Sequence, residues 1–282
     1  MIAVMLALSL STGSCCWCRG RSGGGDIHIP LKLDAVRVLI ITGEDYEGHD
    51  WRQTTPVLKA ALEKDTRLQV DVLDDLEALG STDLTAYAAL ILHFKNYDPQ
   101  IPGRKGFDNL ARFAEGGGGL VLVHFACGAF EEFGDEYEKL VGRVWFGPTP
   151  PTGEQQHDPH GRFTVTITDA DHPVTRGLQP FETVDELYTC LTGDTPIVVL
   201  AEAVSSRNGR AYPIAFVLED DESRVFHCVL GHDPDALSIE PVAELYRRAA
   251  AWAAGLSPAP ENSPARKAHG TQRPTEPNTS ED

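Results

Sequence analysis

The sequence is short of positive charge. Its 282 residues include 24 Lys and Arg against 42 Asp and Glu, which gives a formal net charge of −18 at pH 7. Such a chain repels phosphate groups, so the charge argues against nucleic acid or an anionic lipid surface as a partner. Hydrophobic residues make up 41% of the chain, which is typical of a globular domain that builds its own core.

A long apolar segment is also lacking. The run at residues 2–10 (IAVMLALSL) is too short to span a bilayer, and small residues and Cys15 follow it. This pattern is typical of the apolar region of a signal peptide, and the stretch before Cys15 loosely resembles a lipoprotein cleavage site. No Lys or Arg precedes the run, however. Export, with or without a lipid tether, and a cytoplasmic location both stay open, and no integral membrane contact is expected.

Paired cysteine motifs and phosphate-binding loops are absent. Three of the six cysteines crowd into residues 15–18, and Cys127, Cys190 and Cys228 stand alone. Neither set has the paired CxxC…CxxC spacing of a structural zinc site or the density of a disulfide framework. No GxxxxGK[ST], GxGxxG or HExxH motif occurs, which excludes the common nucleotide-binding loops and the HExxH metalloproteases.

The part of the chain between its two ends alternates strand and helix patterns. We predict a signal-like segment and flexible linker over residues 1–32, one α/β domain over 33–256 and a disordered tail over 257–282. Near-continuous β-branched runs are typical of parallel strands buried on both faces, and right-handed connections place helices on both sides. The pattern therefore predicts a mostly parallel sheet with helices on both faces and a small antiparallel extension. Strands are predicted at residues 36–42, 68–72, 88–93, 120–124, 163–167, 197–201, 212–218 and 225–230, and helices at 53–63, 107–115, 131–141 and 241–254.

Histidines recur just after the predicted strands. His49 follows the first strand, His93 the third, His124 the fourth and His232 the last. Ligands of open parallel sheets bind outside the carboxyl ends of the strands, so these rings are expected in one cleft. Imidazole can act as acid, base or metal ligand near neutral pH. We therefore predict His124 and His232, together with Asp233, as catalytic groups.

Several of these residues also have a simpler structural explanation. Asp50 is a good N-cap for a helix, so the segment around it could serve the helix, the site or both. His93 could be a core histidine. His157 and His160 lie in a polar loop, where they could be solvated or could join His124 and His232 in a metal site.

Cys127 lies in a predicted strand–turn–helix connection. With His232 and Asp233 after the last strand, it has the order of a cysteine–histidine nucleophile pair. The bulky Phe125 stands two residues before it, where tight nucleophile turns usually have a small residue. A buried thiol that packs as a small hydrophobic group is the alternative.

Five short segments, in order and spacing, resemble the ThuA-like (trehalose utilisation) family. The similarity covers about residues 36–255. The segments are Thr42-Gly43 with Gly48-His49-Asp50-Trp51 and Thr55-Pro56, Gly118-Gly119-Leu120 to His124, His172-Pro173 to Gly177-Leu178, Asp185-Glu186-Leu187-Tyr188, and Leu230-Gly231-His232-Asp233.

The resemblance implies both a fold and a field of chemistry. The fold would be a flavodoxin-like three-layer sandwich, similar to that of class I glutamine amidotransferases. The chemistry would belong to the metabolism of trehalose or related disaccharides, through 3-keto-sugar intermediates, with a divalent metal such as zinc. Cys127 falls near the nucleophile turn of the amidotransferases, although the ThuA-like family does not keep an amidotransferase triad.

The resemblance also implies which residues meet the substrate. Carried over by position, the recurring polar residues of the family are His49, His124, His172, Asp185, Glu186 and His232. The residues that we expect to bind substrate are His49, Asp50, Trp51, His172, Asp185 and Glu186. The segment at residues 142–147 lacks a histidine that the family often has there, and His157 or His160 could replace it. His172-Pro173 could instead simply end a strand, and either acid could buttress a histidine without reacting.

The leading hypothesis is an enzyme that acts on a small carbohydrate by histidine-based acid–base or metal-assisted chemistry. A non-catalytic carbohydrate-binding accessory domain, a zinc-dependent hydrolase and a Cys127 amidotransferase are the alternatives. A homo-oligomer is left open.

Overall fold

A nine-stranded sheet forms the centre of the protein in the computed structural model, which describes residues 35–145, 157–218 and 224–257. The predicted signal-like segment and linker, the predicted tail beyond residue 257 and the cysteines at 15–18 lie outside these ranges. The strands are β1 Val36–Ile41, β2 Leu68–Leu73, β3 Ala89–Leu92, β4 Gly119–Val123, β5 Gly161–Ile167, β6 Phe181–Asp185, β7 Ile197–Val204, β8 Ala211–Leu218 and β9 Val225–Cys228. The helices are α1 Trp51–Leu62, α2 Gly103–Glu115, α3 Gly134–Val141, α4 Pro234–Ser238 and α5 Glu240–Ala253, with short 3₁₀ turns at Leu76–Gly80, Leu84–Ala86, His124–Gly128 and Glu131–Phe133.

The sheet has a parallel half and an antiparallel half. Its strand order is β2-β1-β3-β4-β9-β8-β7-β5-β6. The pairs from β2 to β9 are parallel, and those from β9 through β8 and β7 to β5 and β6 are antiparallel. The carboxyl ends of β1, β3, β4 and β9 therefore meet at one edge.

Helices cover both faces of the parallel half because its strands are apolar on both sides. Along β4, Leu120 and Leu122 pack with α2 and α3, whereas Val121 and Val123 pack with α1 and α5. All four side chains are at most 1% exposed, and burial of each stabilises the fold by about 2 kcal/mol. The predicted α/β sandwich with a mixed sheet is confirmed.

Two elements escaped the sequence analysis. Strand β6 alternates exposed and buried residues and has few apolar side chains, so it lacks the apolar run that identified the other strands. Helix α4 has only five residues, too few to show a helical period. The predicted helix at 131–141 begins only at Gly134, after a 3₁₀ turn.

None of the helices in the described ranges has the length and apolar character needed to cross a membrane.

His227, in β9, is a polar side chain buried in the core. The residue is fully buried, its ring lies 4.6 Å from that of Phe216, and neither ring nitrogen has a hydrogen-bond partner in the described part of the chain. Burial, helped by the charge of Arg143, lowers its pKa to about 3, against about 6.5 in an unfolded chain. Protonation therefore favours unfolding, and stability present above about pH 6.5 is lost as the pH falls toward the folded-state pKa.

Replacing His227 by Leu is expected to raise the free energy of unfolding at neutral pH by about 1 kcal/mol, because an unpaired donor and acceptor leave the core. Below about pH 6.5 the variant should lose stability less steeply than the wild type, by about one proton. Urea denaturation at several pH values measures both effects. A variant that is less stable at every pH, with an unchanged slope, would contradict the prediction.

Candidate functional site

Four side chains meet at the carboxyl edge of the sheet. His49, His124, Glu186 and His232 each offer one ligand atom, and these atoms all lie within 4.8 Å of one another. Nε2 of His124 is 3.1 Å from Nε2 of His49 and 3.7 Å from Oε2 of Glu186. The same Glu186 oxygen is 3.4 Å from Nδ1 of His232. We call this group the His–Glu cluster.

His124 is held in a strained turn with one nitrogen fixed. It follows β4 directly at φ +48°, a left-handed conformation that costs a residue with a side chain about 1 kcal/mol or more. Its Nδ1 lies 2.6 Å from the carbonyl oxygen of Val229. A carbonyl can only accept, so Nδ1 carries the proton and the lone pair of Nε2 faces the cluster.

His49 comes from the loop between β1 and α1. Its backbone N–H donates to the carbonyl of Tyr46 at 3.0 Å, and its ring stacks on Phe125 with centroids 4.3 Å apart. Within the described residues its buried Nδ1 has no hydrogen-bond partner. The ring is therefore oriented by stacking, with Nε2 turned toward His124.

His232 is positioned by a buried carboxylate. Asp185, the last residue of β6, accepts backbone N–H groups from Gly231 at 2.7 Å, Glu186 at 2.8 Å and His232 at 3.3 Å. Gly231 has φ +115°, and an added Cβ would lie 2.8 Å from Leu237 Cδ2, so the turn requires glycine. Burial raises the pKa of Asp185 to about 7 although the three N–H groups lower it. Asp185 thus lies behind the cluster and fixes Glu186 and His232.

The buried histidines of the cluster are neutral. Burial, and then the charge of His232, lowers the pKa of His49 to about 4, with Lys95 contributing in the same direction. Burial also lowers the pKa of His124 well below its usual value. Both rings therefore keep a lone pair at neutral pH.

The open side of the cluster carries an ion pair. Burial acts to raise the pKa of Glu186, but His232 and the neighbouring histidines more than offset this and lower it. Glu186 in turn raises the pKa of His232. Nδ1 of His232 and Oε2 of Glu186 are at ion-pair distance without the alignment of a hydrogen bond.

Tyr188 is a site residue to which the sequence analysis assigned no role. Its hydroxyl lies 3.1 Å from Nε2 of His124 and donates to it, because that nitrogen carries the lone pair. The sequence feature that could have identified Tyr188 is its place in the segment Asp185-Glu186-Leu187-Tyr188, two residues after Glu186.

His157 and His160 lie beside the cluster, outside its four ligand atoms. Nδ1 of His157 is 3.7 Å from Oε1 of Glu186 and 2.8 Å from the carbonyl of Asp158. Nε2 of His160 is 3.3 Å from Oδ2 of Asp233. The structure thus brings His49 and Glu186, rather than His157 and His160, within ligand distance of His124 and His232.

The acids next to two of the histidines cap helices. Asp50 accepts the backbone N–H of Arg52 at the start of α1, and Asp233 accepts that of Ala236 at the start of α4. Trp51 donates its indole N–H to Asp45 at 2.7 Å, and the guanidinium of Arg52 covers its ring. These side chains lie at the rim and do not enter the cluster.

His172 is not brought to the cluster. Its ring packs against Trp252 of α5 at 5.3 Å between centroids, and its Nδ1 accepts the backbone N–H of Val174 at 3.2 Å. This is the turn-forming alternative for the His-Pro dipeptide.

Cys127 is buried under the site. It is 0% exposed, it packs within the core on the α1 and α5 face, and its Sγ donates to the carbonyl of His124 at 3.4 Å. Burial raises the pKa of this thiol. The strained position directly after β4, where a nucleophile would be expected, is occupied by His124.

The family described as trehalose utilisation (ThuA) matches residues 37–253. The chain belongs to the ThuA family. Membership supports an association with carbohydrate metabolism. A comparison with curated proteins finds no match.

Solved structures agree with the family. A putative ThuA-like protein from Parabacteroides merdae ATCC 43184 is 25% identical with a TM-score of 0.67, over 79% of this chain and 92% of that one. A putative ThuA-like protein from Bacteroides uniformis ATCC 8492 is 19% identical with a TM-score of 0.61, over 83% and 99%. A glutamine amidotransferase from Thermotoga maritima is 12% identical with a TM-score of 0.50, over 79% and 99%. The likeness to the last two shows the fold alone, which is the flavodoxin-like sandwich of the amidotransferases.

Cys127 of this ThuA-family chain is expected to resist alkylation in the native protein. Its thiol is inaccessible, and burial disfavours ionisation to the reactive thiolate. Iodoacetamide treatment followed by peptide mass mapping should show Cys127 unmodified before denaturation and modified after it. The partly buried Cys190 is the internal comparison. Labelling of native Cys127 ahead of Cys190 would contradict this reading.

Proposed function

We propose that this ThuA-family protein is an enzyme of carbohydrate metabolism whose His–Glu cluster binds a divalent metal ion, such as zinc, and acts on a 3-keto-sugar. The observation that carries the proposal is the convergence of four ligand atoms from His49, His124, Glu186 and His232 within 4.8 Å. Three imidazoles and a carboxylate form a donor set that zinc prefers.

The contacts around His124 fit a shared cation. Its Nε2 has one lone pair, yet His49, Tyr188 and Glu186 all place a polar atom within 3.7 Å of it. Its Nδ1–H is fixed on a backbone carbonyl, an arrangement that orients histidine ligands in metal sites. The buried Nδ1 of His232 has no hydrogen bond in the described ranges. A cation at this point would be a partner for each of these atoms.

The four residues divide into a floor and an open side. The side chain of His124 is 0% exposed, whereas those of Glu186 and His232 are 13% and 22% exposed. A substrate therefore meets the Glu186–His232 pair first. A carboxylate and an imidazole are both acid–base groups, so that pair can take a proton from carbon or oxygen and return it.

A divalent cation in the cluster would polarise a sugar carbonyl or acidify a water molecule. The Tyr188 hydroxyl can also donate a hydrogen bond to a substrate oxygen in place of Nε2 of His124. Asp185 fixes the positions of His232 and Glu186 by accepting hydrogen bonds from the backbone around them.

The approach to the cluster suits a sugar. A cavity of about 410 Å³, a size suited to a small ligand, lies against His49. Its other lining residues are Asp45, Tyr46, Glu47, Asp50, Trp51 and Arg52. Tyr46 and Tyr97 stack with centroids 4.7 Å apart, and each is 45% exposed. Exposed aromatic faces beside acids can contact the C–H groups and hydroxyls of a carbohydrate.

Metal binding tests the cluster directly. Chelator-stripped protein is expected to bind about one Zn²⁺ per chain and to melt at a higher temperature with it. His124→Ala and Glu186→Gln should each weaken binding roughly 10- to 100-fold. His172→Ala, which removes a partly buried histidine outside the cluster, is the control and should bind like the wild type. Wild-type protein that binds no zinc, cobalt or manganese by calorimetry would contradict the proposed centre.

Turnover tests the chemistry. With a 3-keto-disaccharide, His232→Ala and Tyr188→Phe are expected to lower kcat by roughly 100-fold and 10-fold, because a proton-transfer group and a hydrogen-bond donor are lost. Melting temperatures should change by only about a few degrees. Sugar binding without consumption over long incubation would favour the accessory-domain alternative. Cleavage of a simple glycoside by the zinc form alone would favour the hydrolase.

A further inference from the structure

Lys95 is a partly buried cation without an acidic partner. It lies three residues after β3, and no carboxylate in the described ranges is at ion-pair distance from its ammonium. By contrast, Lys59 pairs with Glu63 and Lys64 with Glu240. In a chain with a net charge of −18, a sheltered lysine that contacts no acid calls for another explanation.

The ammonium of Lys95 lies between two aromatic rings. Its Nζ is 5.3 Å from the ring centroid of Tyr97 and 5.4 Å from that of Trp145. Cation–π attraction holds the charge in place but uses none of its N–H donors. The stem runs along Gly128, where an added Cβ would lie 2.8 Å from Lys95 Cδ. The side chain is therefore guided to this position, and its N–H donors have no acceptor among the residues that the structure describes.

Both rings connect Lys95 to the His–Glu cluster. The backbone N–H of Trp145 donates to the carbonyl of Cys127 in the turn that carries His124. The Trp145 ring lies 4.8 Å from that of Tyr188, whose hydroxyl reaches His124. On the other side Tyr97 stacks on Tyr46, whose ring is 5.5 Å from that of His49. Lys95 is thus linked to the cluster through one aromatic ring on each side.

We propose that Lys95, between Tyr97 and Trp145, binds a negatively charged oxygen of the substrate beside the His–Glu cluster. The placement of the substrate rests on the proposed function. A partly desolvated ammonium with free donors prefers an anionic oxygen over a neutral hydroxyl, because charge-assisted hydrogen bonds are about twice as strong.

The anionic oxygen has two sources with the same chemistry. One is the carboxylate of a sugar acid, which is charged before any reaction. The other is the carbonyl oxygen of a keto-sugar during enolisation. In that step the Glu186–His232 pair takes the proton from the carbon next to the carbonyl. The C–H electron pair then forms the C=C bond, and the carbonyl π pair moves to the oxygen facing Lys95.

Lys95→Met removes the charge and keeps the apolar stem, and Lys95→Arg restores a charge. Lys64→Met, a lysine in an exposed ion pair, is the matched control. The binding arm measures D-glucuronate against methyl glucoside by calorimetry. The kinetic arm measures kcat and KM with a 3-keto-disaccharide.

For a carboxylate source, Lys95→Met should weaken glucuronate binding roughly tenfold or more and leave methyl glucoside unchanged, with Lys95→Arg in between. For an enolate source, Lys95→Met should lower kcat roughly tenfold or more at an unchanged KM. Lys64→Met should behave like the wild type in both arms.

The proposal is overturned if Lys95→Met matches the wild type in both arms. It is also overturned if the variant loses melting temperature and binding of both sugars together, since that shows a structural role. If the wild type turns over no keto-sugar, the proposed function fails and the binding arm alone decides. Selective loss of glucuronate binding then upholds the subsite, and absence of glucuronate binding by the wild type rejects it.

Discussion

The hydrogen bond from Nδ1 of His124 to the carbonyl of Val229 is the constraint on which the site depends. It joins the ends of the adjacent strands β4 and β9 at 2.6 Å. By fixing the proton on Nδ1 it points the lone pair of Nε2 at His49, Glu186 and Tyr188. With the opposite tautomer, Nε2 would be a donor and the four ligand atoms could not share a cation. The left-handed backbone of His124 belongs to the same constraint, because a relaxed residue would continue the strand direction.

A second constraint links the two halves of the sheet. Strand β6 is the far edge strand, four places from β9 in the strand order. Asp185 at its end nevertheless accepts the N–H of Gly231, which follows β9, at 2.7 Å. The antiparallel half therefore turns back over the carboxyl edge and delivers Glu186 and Tyr188 to the histidines. The buried carboxylate of Asp185 links the two halves of the sheet. Asp185 therefore supports the site through the backbone without contacting a substrate.

The charges around the site are distributed unevenly. The chain is strongly acidic, yet two neutral imidazoles form the floor of the site, and a lysine ammonium lies nearby between two aromatic rings. Four acidic groups near the site are engaged: Asp50 and Asp233 cap helices, Asp185 accepts backbone N–H groups, and Glu186 pairs with His232. An anionic oxygen would thus meet a local positive charge within a protein whose net charge repels it. This arrangement favours specific binding at the site and does not speed the approach of anions from a distance.

The sequence by itself determined the α/β layers, the family and the edge at which the histidines gather. Apolar runs report buried strands, and the carboxyl ends of parallel strands must share an edge, so His49, His124 and His232 were predictable neighbours. Only the tertiary structure decided that Glu186 and Tyr188 complete the group, that His172 packs on α5, that Cys127 is buried below the turn, and that Lys95 lies between two rings. Periodicity describes which face of its own element a residue occupies. The distance between β6 and β9, or between Lys95 and Trp145, depends on how the sheet curls and how loops cross its edge, which no local pattern encodes.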